Sequence, residues 1–262
     1  MNVLDSFSLK GKVTLLTGGA GLYGRQIVAS LAEAGAKLYI ASRGIEALEK
    51  VACEERARGF DVTALPLDLG SDESIEALHK KIMSENDRFD ILVNNAVTRC
   101  ACAGWDGSLD YYDESLRVNA SALFKITNLF AEEMKKQQSG SVINIGSMMG
   151  MVGVEMANYN GTDMGGNPGP IYFYEKGGMI NFSRWAASIL GKYNVRVNCL
   201  SPGGLEDLSQ PEAFKKNYSE RTQLGRLANS TDLKGIIVFL ASDASAYITG
   251  TNIPVDGGYT AK

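Results

Sequence analysis

Seven short apolar stretches recur along the chain, and segments with the apolar spacing of helices separate them. The stretches are VTLLT 13–17, LYIAS 38–42, VTALPLD 62–68, ILVNNA 91–96, SVINIGS 141–147, VRVNCLS 195–201 and NIPVD 252–256. Strands that alternate with helices indicate βαβ units and a mostly parallel sheet. Because the stretches are apolar throughout instead of alternating with polar residues, we expect helices on both faces of that sheet.

The chain has the length of one α/β domain, since 262 residues can share a continuous core and no linker or repeat divides them. Between the first two strands, residues 24–35 place Ile27, Leu31 and Ala34 on one helix face, with Gly35 as the stop signal. We therefore predict an α/β, single-domain Rossmann fold over residues 1–262, with a seven-stranded, mostly parallel sheet and helices on both faces.

Charge and hydropathy limit the kinds of partner. The net charge is −4 and no block of Lys and Arg is present, which argues against binding to nucleic acid or to an anionic membrane. No apolar run approaches the roughly 18–20 residues that span a bilayer, and the first residues lack a signal-peptide pattern. We expect a cytoplasmic protein whose partner is a small-molecule substrate.

The cysteines and the histidine do not suggest a metal site. Cys53, Cys100, Cys102 and Cys199 form no CxxC pair, so we interpret them as small buried or incidental residues, with a redox or metal role as the alternative. The single histidine, His79, cannot build a zinc site of the usual Cys/His type. We therefore predict no metal, and we exclude zinc-dependent dehydrogenases and Ser-His-Asp hydrolases.

A glycine-rich turn, TGGAGLYG 17–24, follows the first strand and precedes a helix. Gly19, Gly21 and Gly24 satisfy the spacing G-x-G-x-x-G, which lets a pyrophosphate approach backbone NH groups at the start of a helix. A turn that binds no ligand is the alternative. The position of the turn within the first βαβ unit favours a dinucleotide.

The residues at the end of the second strand help to distinguish NADP from NAD as the cofactor. Ser42 and Arg43 stand where an NAD-binding chain would carry Asp or Glu for the adenosine ribose. An arginine beside a hydroxyl would hold a 2′-phosphate through charge-assisted hydrogen bonds, which favours NADP over NAD; alternatively, Arg43 is a solvated loop residue. After the third strand, Asp68 would either accept a hydrogen bond from adenine or cap the next helix.

Six motifs in a fixed order resemble the short-chain dehydrogenase/reductase family over essentially the whole chain. They are the glycine turn 17–24, NNA 94–96, VNASALF 118–124, INIGSMMG 143–150, YFYEK 172–176 and NCLSPGG 198–204. The threonine that many relatives carry just after Pro-Gly is missing, and Leu205 and Glu206 occupy that stretch. Two positions nearer the start of the chain also depart from the family pattern. Leu22 replaces the middle glycine of the turn, which suggests a slightly wider loop, and Val97 stands where glycine is usual.

This resemblance implies an NAD(P)-dependent oxidoreductase acting on CH–OH donors, with Asn119, Ser147, Tyr172 and Lys176 as the catalytic tetrad. It implies cofactor contacts from Gly18, Gly21, Leu22, Tyr23, Gly24, Ser42, Arg43, Asp68, Leu69, Asn95, Ala96, Tyr172, Lys176, Pro202, Gly203 and Leu205. Relatives are commonly tetramers, so the resemblance also implies a homo-oligomer, a dimer or a tetramer, with the apolar segment 182–190 at an interface.

The spacing of the tyrosines and the lysine assigns different roles to the two tyrosines. Tyr172 and Lys176 are four residues apart and share a helix face, whereas Tyr174 points the other way. Because hydride transfer at a carbinol carbon requires a proton to move at the same oxygen, and an ammonium stabilises a nearby phenolate, we predict that Tyr172 is the acid/base. We expect Tyr174 to be a packing residue or a substrate wall.

The remaining tetrad members have supporting roles. Ser147 would hold the reacting oxygen by a hydrogen bond. By the resemblance, Lys176 also binds the nicotinamide ribose, and Asn119 anchors a water connected to Lys176 that gives the proton a route to solvent.

Two segments are candidates for substrate contact. Ser147 and Tyr172 are 25 residues apart, about twice the usual gap in the family, and the excess lies in a loop at 150–170. Its polar part, 154–170, would either contact a hydroxyl-rich substrate or be an inert surface insertion. The polar residues concerned are Asn158, Tyr159, Asn160, Thr162, Asp163 and Asn167. Segment 203–228 corresponds to the substrate lid of the family.

The lid sequence and the long loop resemble a subgroup of the family associated with bacterial sugar metabolism, including nonulosonic acid synthesis. The C-terminal VDGGYTAK also resembles sugar and polyol dehydrogenases. This favours carbohydrate metabolism, with a sugar, polyol or sugar phosphate as substrate. One alternative is a ketoacyl or steroid-type reductase with an apolar substrate. A non-catalytic cofactor-sensing protein and a structural oligomer subunit are further alternatives, against which the intact tetrad argues.

Overall fold

All seven predicted strands are present in the computed structural model, which describes residues 2–98, 107–164 and 169–261. The strands are β1 Val13–Thr17, β2 Lys37–Ser42, β3 Val62–Pro66, β4 Ile91–Asn94, β5 Gly140–Ile145, β6 Val195–Pro202 and β7 Asn252–Val255. The α-helices of the described residues are α1 Leu22–Glu33, α2 Ile45–Ala57, α3 Asp72–Ser84, α4 Leu109–Leu116, α5 Ala122–Lys136, α6 Pro170–Leu190, α7 Glu212–Ser219 and α8 Lys234–Ala241. A π-helical segment, Arg117–Ser121, joins α4 to α5.

The strands form one sheet in the order β3-β2-β1-β4-β5-β6-β7. Every neighbouring pair is parallel, so the prediction of a mostly parallel sheet is confirmed and the sheet is wholly parallel. The chain runs outward from β1 to β3 and then returns to place β4 on the other side of β1. This reversal opens a crevice at the carboxyl ends of β1 and β4, where open α/β sheets bind their ligands.

Each face of the sheet carries its own core, as the continuous apolar strands predict. On one face, Leu16 of β1 and Val93 of β4 are fully buried beneath α1, α2 and α8. On the other face, Leu15 and Leu92 are fully buried beneath α3, α5 and α6. Successive residues of one strand point to opposite faces, so burial on both faces removes all side chains of the central strands β1 and β4 from water.

Helix α1 confirms the predicted pattern with one shift of its boundary. Ile27 and Leu31 are fully buried, and Gly35 follows the helix with a φ of +96° that favours glycine. The helix begins at Leu22, two residues before the predicted start. The glycine turn is therefore shorter, and the helix start lies closer to the end of β1.

A buried polar network links the middle of the sheet to two helices. The amide of Asn94 on β4 donates to Thr127 Oγ1 of α5 at 3.0 Å and to Asn144 Oδ1 of β5 at 2.8 Å. Asn144 in turn donates to Ser183 Oγ of α6 at 2.9 Å. These bonds fix α6, which carries the predicted acid/base, against the strand ends of the sheet.

The described cysteines agree with a structural interpretation. Cys53 is exposed and Cys199 is buried, and burial raises the pKa of the Cys199 thiol. Cys100, Cys102 and Asn167, which entered the predictions above, lie outside the described residues. Within residues 2–98, 107–164 and 169–261, no group of three His, Cys, Asp or Glu side chains could hold a metal ion. Every helix within the same three ranges is too short or too polar to span a bilayer.

Candidate active site

A cavity of about 1050 Å³ lies at the carboxyl ends of the strands. Its wall brings together residues that are far apart in the sequence, and these include nearly all the predicted site residues. They are Gly18, Gly21, Leu22, Tyr23, Gly24, Ser42, Arg43, Asp68, Leu69, Asn95, Ala96, Ser147, Tyr172, Lys176, Pro202, Gly203 and Leu205. Asn119 is the predicted site residue that does not line the wall.

The glycine turn is fastened to the end of β4. Thr17 Oγ1 accepts hydrogen bonds from the backbone NH groups of Asn95 at 3.1 Å and Ala96 at 3.0 Å. The Asn95 amide donates to the Gly18 carbonyl at 2.8 Å. Gly18 has a φ of +77°, and a Cβ there would lie 2.8 Å from Ala96 Cα, so the contact requires glycine.

Two other glycines of the turn have different environments. A Cβ at Gly24 would overlap the Gly18 carbonyl oxygen and lie 2.9 Å from the Gly19 carbonyl carbon. At Gly21, which precedes α1, the nearest atom to a Cβ would be the Gly18 oxygen at 3.8 Å. Gly24 is therefore required by packing within the protein, whereas Gly21 leaves open space at the start of a helix. That space could take the diphosphate of a dinucleotide, because the first backbone NH groups of a helix have no acceptor within the helix and point toward an anion placed there.

Tyr23 connects the glycine turn to the end of β6. Its hydroxyl donates to the Gly203 carbonyl at 2.8 Å, and burial raises the pKa of the phenol above its ordinary value. The neighbouring Leu22 is 59% exposed and lines the cavity, so the residue that replaces the usual glycine faces the ligand space. The two sides of the cavity are thus held at a fixed separation by Tyr23.

The cavity wall next to β2 and β3 carries both charged residues predicted for the adenosine end. Ser42 and Arg43 lie there with Gly44, and Arg43 is exposed. Asp68 Oδ1 accepts a hydrogen bond from the backbone NH of Gly70 at 2.9 Å. The N-cap of α3 is Ser71, whose hydroxyl accepts from Ser74 NH at 3.2 Å, so the alternative that Asp68 caps this helix is wrong.

Ser147, Tyr172 and Lys176 meet on the opposite part of the wall. Ser147 follows β5, and its hydroxyl accepts from the backbone NH of Met149 at 3.1 Å. Lys176 is 4% exposed, donates to the Ile145 carbonyl at 2.7 Å, and places Nζ 5.8 Å from the centre of the Tyr172 ring. The ammonium is therefore on the same side of α6 as Tyr172, as the spacing predicts.

The segment after Ser147 packs closely on α6. A Cβ at Gly150 would lie 2.6 Å from the backbone carbonyl of Lys176, so glycine allows the two segments to touch. This contact sets the distance between the serine and the lysine. Tyr174, by contrast, is 68% exposed and does not line the cavity, so of these two tyrosines it is Tyr172 that a ligand in the cavity can reach.

Asn119 lies in the π-helical segment behind the wall, and its side chain is engaged by protein groups. Its Oδ1 accepts from Thr98 NH at 2.9 Å, and its Nδ2 donates to the Thr98 carbonyl at 2.9 Å. Nδ2 also donates to Ser115 Oγ at 3.1 Å and to Glu175 Oε2 at 2.9 Å. The amide thus clamps the segment after β4 onto α6.

The substrate end of the cavity has thioether and aromatic walls. These come from the segment after Ser147, from the long loop and from α7: Met148, Met149, Met164, Phe214 and Tyr218. Tyr218 is 3% exposed, its hydroxyl lies 3.2 Å from Met148 Sδ, and burial raises its pKa. Helix α7 therefore forms part of the wall.

The described polar residues of the long loop turn away from this space. Asn158 is 1% exposed and donates to the Tyr259 hydroxyl at 2.9 Å. Asn217 of α7 donates to the Asn160 carbonyl at 2.9 Å, which joins the loop to α7. Within the described part of the loop, Met164 lines the cavity, whereas Asn158, Tyr159, Asn160, Thr162 and Asp163 do not.

Sequence reasoning missed Glu175 and the wall residues Met148, Phe214 and Tyr218. Glu175 is 7% exposed. The sequence offered one sign of its importance, because Glu175 lies inside the YFYEK motif, between the predicted acid/base Tyr172 and Lys176. The wall residues gave no usable signal, because Met, Phe and Tyr are equally typical of an ordinary core.

Comparison with known proteins identifies relatives over nearly the full length. The family model described as enoyl-(acyl carrier protein) reductase matches residues 21–260. A 3-oxoacyl-(acyl-carrier-protein) reductase FabG of Aquifex aeolicus is 36% identical over 257 residues, covering 95% of this chain and 98% of the relative. The corresponding protein of Thermotoga maritima is 32% identical over 256 residues, covering 95% of this chain and 98% of the relative.

Solved structures agree with these matches. The crystal structure of a gluconate 5-dehydrogenase from Burkholderia cenocepacia, in complex with NADP and tartrate, superimposes with a TM-score of 0.89. The two chains are 28% identical, and the alignment covers 100% of each.

Proposed function

Because the chain belongs to the short-chain dehydrogenase/reductase family, we propose that it transfers hydride between a nicotinamide cofactor and a secondary alcohol or ketone. Membership of this family makes it an oxidoreductase that acts on CH–OH groups. The observation that carries the proposal is that Ser147, Tyr172 and Lys176 line the same cavity as the glycine turn. A dinucleotide on the turn and a substrate beside Tyr172 would therefore share one space.

In the proposed reaction Tyr172 moves the proton at the substrate oxygen. The Lys176 ammonium, 5.8 Å from the phenol ring, stabilises the phenolate form that accepts this proton. Ser147 holds the reacting oxygen by a hydrogen bond, which supplies positioning and charge stabilisation. Asn119 holds the wall segment at Thr98 in place behind them. When bound, NAD(P) donates or accepts the hydride.

The turn and the strand ends are proposed to hold the cofactor. Gly21 offers open space for the diphosphate at the start of α1, and Asn95 and Ala96 line the adjoining wall. Arg43 and Ser42 support a preference for NADP, because a guanidinium beside a hydroxyl suits a 2′-phosphate. The gluconate 5-dehydrogenase neighbour was solved with NADP, which is consistent with this preference.

The substrate end of the cavity supports an apolar group next to the reacting carbon. Met148, Met149 and Met164 present flexible thioether side chains, and Phe214 adds an aromatic surface. Among the described residues of this end, no Lys or Arg other than Lys176 is available for a substrate phosphate or carboxylate. We therefore favour a 3-oxoacyl type of ketone, in agreement with the 36% identity to a 3-oxoacyl reductase.

A sugar or polyol is the second candidate substrate. It is supported by the structural similarity to a gluconate 5-dehydrogenase, which covers 100% of both chains. Aromatic rings such as Phe214 also pack against the C–H face of a sugar ring. The polar residues of the described loop give this candidate no direct support, since they do not line the cavity.

Cofactor absorbance measured over a panel of substrates tests these proposals. The panel contains ethyl acetoacetate and acetoacetyl thioesters for the apolar class, and gluconate, sorbitol and sugar phosphates for the polar class, each with NADP(H) and NAD(H). We expect turnover of the ketoesters with NADPH. Turnover of gluconate or sorbitol alone would reject the apolar class, and no turnover with a protein that binds NADP would reject the enzymatic proposal.

We also propose that the protein is a homo-oligomer, a dimer or a tetramer. An aromatic face of α5 and α6 supports this: Phe124, Trp185 and Ile189 are 50%, 53% and 49% exposed. Phe124 and Trp185 both lie against Phe182, so the exposed rings are adjacent. Exposed apolar patches of this kind mark interfaces between proteins. Light scattering of the wild-type protein and of Trp185→Arg would measure the assembly.

A further inference from the structure

Glu175 is a buried acid inside the proposed catalytic region. It lies on α6 directly before Lys176, is 7% exposed and lines the cavity. Acidic residues are seldom buried to this degree unless they are paired. The contacts of this carboxylate therefore determine what it can do.

The two carboxylate oxygens of Glu175 have different environments. Oε2 accepts a hydrogen bond from Asn119 Nδ2 at 2.9 Å. Oε1 is buried and has no hydrogen-bond partner among the residues that the structure describes. Burying a carboxylate oxygen without a donor is unfavourable, because the oxygen loses its hydration. A donor outside the protein, either water or a ligand, would remove that penalty.

The neighbours of Glu175 make its surroundings polar. Thr98, Ser115 and Lys176 line the cavity together with Glu175, and we call these four residues the polar corner. The Asn119 side chain lies directly behind them and is bonded to Thr98, Ser115 and Glu175. Its amide is occupied, which leaves Glu175 Oε1 as the buried acceptor without a protein donor in this corner.

We propose that Glu175 is a positioning residue. Its Oε1 would hold, in the polar corner, the water that the family resemblance connects to Lys176 and assigns to Asn119, because the Asn119 amide is bonded to protein groups here. Lys176 would exchange its proton with solvent through this water. The inference rests on the proposed function. In alcohol oxidation, the water accepts the proton that leaves Lys176 Nζ and passes one of its own protons outward. Lys176 is restored by the proton that Tyr172 takes from the substrate hydroxyl. The reverse order applies to ketone reduction. Within this proton relay only N–H and O–H bonds form and break, and the C–H bond of the carbinol carbon is broken or formed in the separate hydride transfer.

Glu175→Gln separates this role from a purely structural one. The glutamine oxygen keeps the bond from Asn119, while its NH2 group replaces Oε1 and turns an acceptor into a donor. A structural role would survive the change, since the hydrogen bond and the side-chain volume are retained. The water site would not survive with the same orientation.

The first measurement is a crystal structure of the wild-type protein without cofactor, at a resolution that shows ordered water. We expect a water within hydrogen-bond distance of Glu175 Oε1 on the cavity side. The proposal is overturned if Oε1 is dry or bonded to a protein donor. Calorimetric titration with NADP should give the same dissociation constant for the wild-type protein and Glu175→Gln, within about twofold. A large loss would make Glu175 a cofactor-binding residue instead.

The second measurement is turnover of the substrate that gives the highest rate in the panel above. Glu175→Gln should lower kcat on the order of tenfold or more with KM unchanged, less than the roughly 10²–10⁴ of a direct acid/base. Glu55→Gln is the matched control, since Glu55 is 9% exposed, accepts from Arg58 at 2.7 Å and lies on α2 outside the cavity wall. It should leave kcat unchanged.

Unchanged kcat in Glu175→Gln would reject the relay, and a raised KM with constant kcat would indicate contact with substrate. These outcomes are distinct from failure of the proposed function. If the wild-type protein turns over no substrate, the water at Oε1 and the NADP dissociation constant still decide whether Glu175 builds this site.

Discussion

The two glycines at the start of α1 provide a matched test of why the turn is glycine-rich. We predict that Gly24→Ala destabilises the protein, whereas Gly21→Ala mainly weakens cofactor binding. A Cβ at Gly24 would overlap the Gly18 oxygen and lie 2.9 Å from the Gly19 carbonyl carbon, which are backbone atoms that cannot rotate away. A Cβ at Gly21 would meet nothing closer than 3.8 Å.

The magnitudes follow from this difference in space. Overpacking of this kind costs about 1–3 kcal/mol, of which the better helix propensity of alanine offsets roughly 0.5–1 kcal/mol at Gly24. For a protein of this size, each kcal/mol lowers Tm by about 2–4 °C. At Gly21, φ is −72° and ψ is 174°, which alanine adopts freely, so its stability should change by about 1 kcal/mol or less.

Cofactor affinity, in contrast to stability, should change more in Gly21→Ala than in Gly24→Ala. Its methyl group would project into the space proposed for the diphosphate, so we expect the NADP dissociation constant to rise about tenfold, or roughly 1.4 kcal/mol. Thermal unfolding followed by circular dichroism gives the stabilities, and calorimetric titration with NADP gives the affinities. If Gly21→Ala binds NADP like the wild-type protein, the diphosphate does not lie there. If Gly24→Ala unfolds at the wild-type Tm, the packing argument is wrong.

Three further predictions concern the proposed chemistry. Tyr172→Phe should lower kcat by about 10²–10⁴ while NADP affinity is retained, because the change removes the proposed acid/base. Tyr174→Phe, at the exposed position, should leave kcat unchanged. The reverse result would reject the assignment of Tyr172 as the acid/base. Arg43→Asp should weaken NADP relative to NAD in direct titrations, and an unchanged preference would remove Arg43 from the 2′-phosphate site. Met164→Gln should raise KM for a ketoester roughly five- to tenfold, from about 1 kcal/mol of lost apolar contact, while leaving KM for gluconate unchanged.

Local patterns were sufficient to predict the elements that build this fold. A strand such as Ile91–Asn94 and a helix such as Leu22–Glu33 are determined by the side chains within them, because apolar spacing and glycine stops act over a few residues. The separation of Tyr172 from Tyr174 was predictable for the same reason, since helix geometry alone sends them to different faces. The proposed tetrad was grouped by the order of six motifs along the chain. Local patterns do not explain why its four residues belong together.

Other features depended on contacts between distant parts of the chain. Asp68 could cap α3 or face a ligand on the sequence alone, and only the position of Ser71 as the N-cap removed the first alternative. The loop at 150–170 has a polar sequence, yet its described polar groups bond to α7 and to Tyr259, and Met164 faces the cavity instead. Polarity indicates that a side chain needs a partner, and it does not indicate which partner.

Local sequence patterns were enough to predict seven strands, their intervening helices, a glycine-rich turn after the first strand, and a tyrosine and a lysine on one helix face. The burial of Glu175, its hydrogen bond to Asn119 and the thioether and aromatic lining of the substrate end emerged only when the chain was folded. The physical reason is the range of the interactions involved. Backbone conformation and helix spacing act between near neighbours, whereas burial and hydrogen-bond partners arise when segments more than fifty residues apart meet at the end of the sheet.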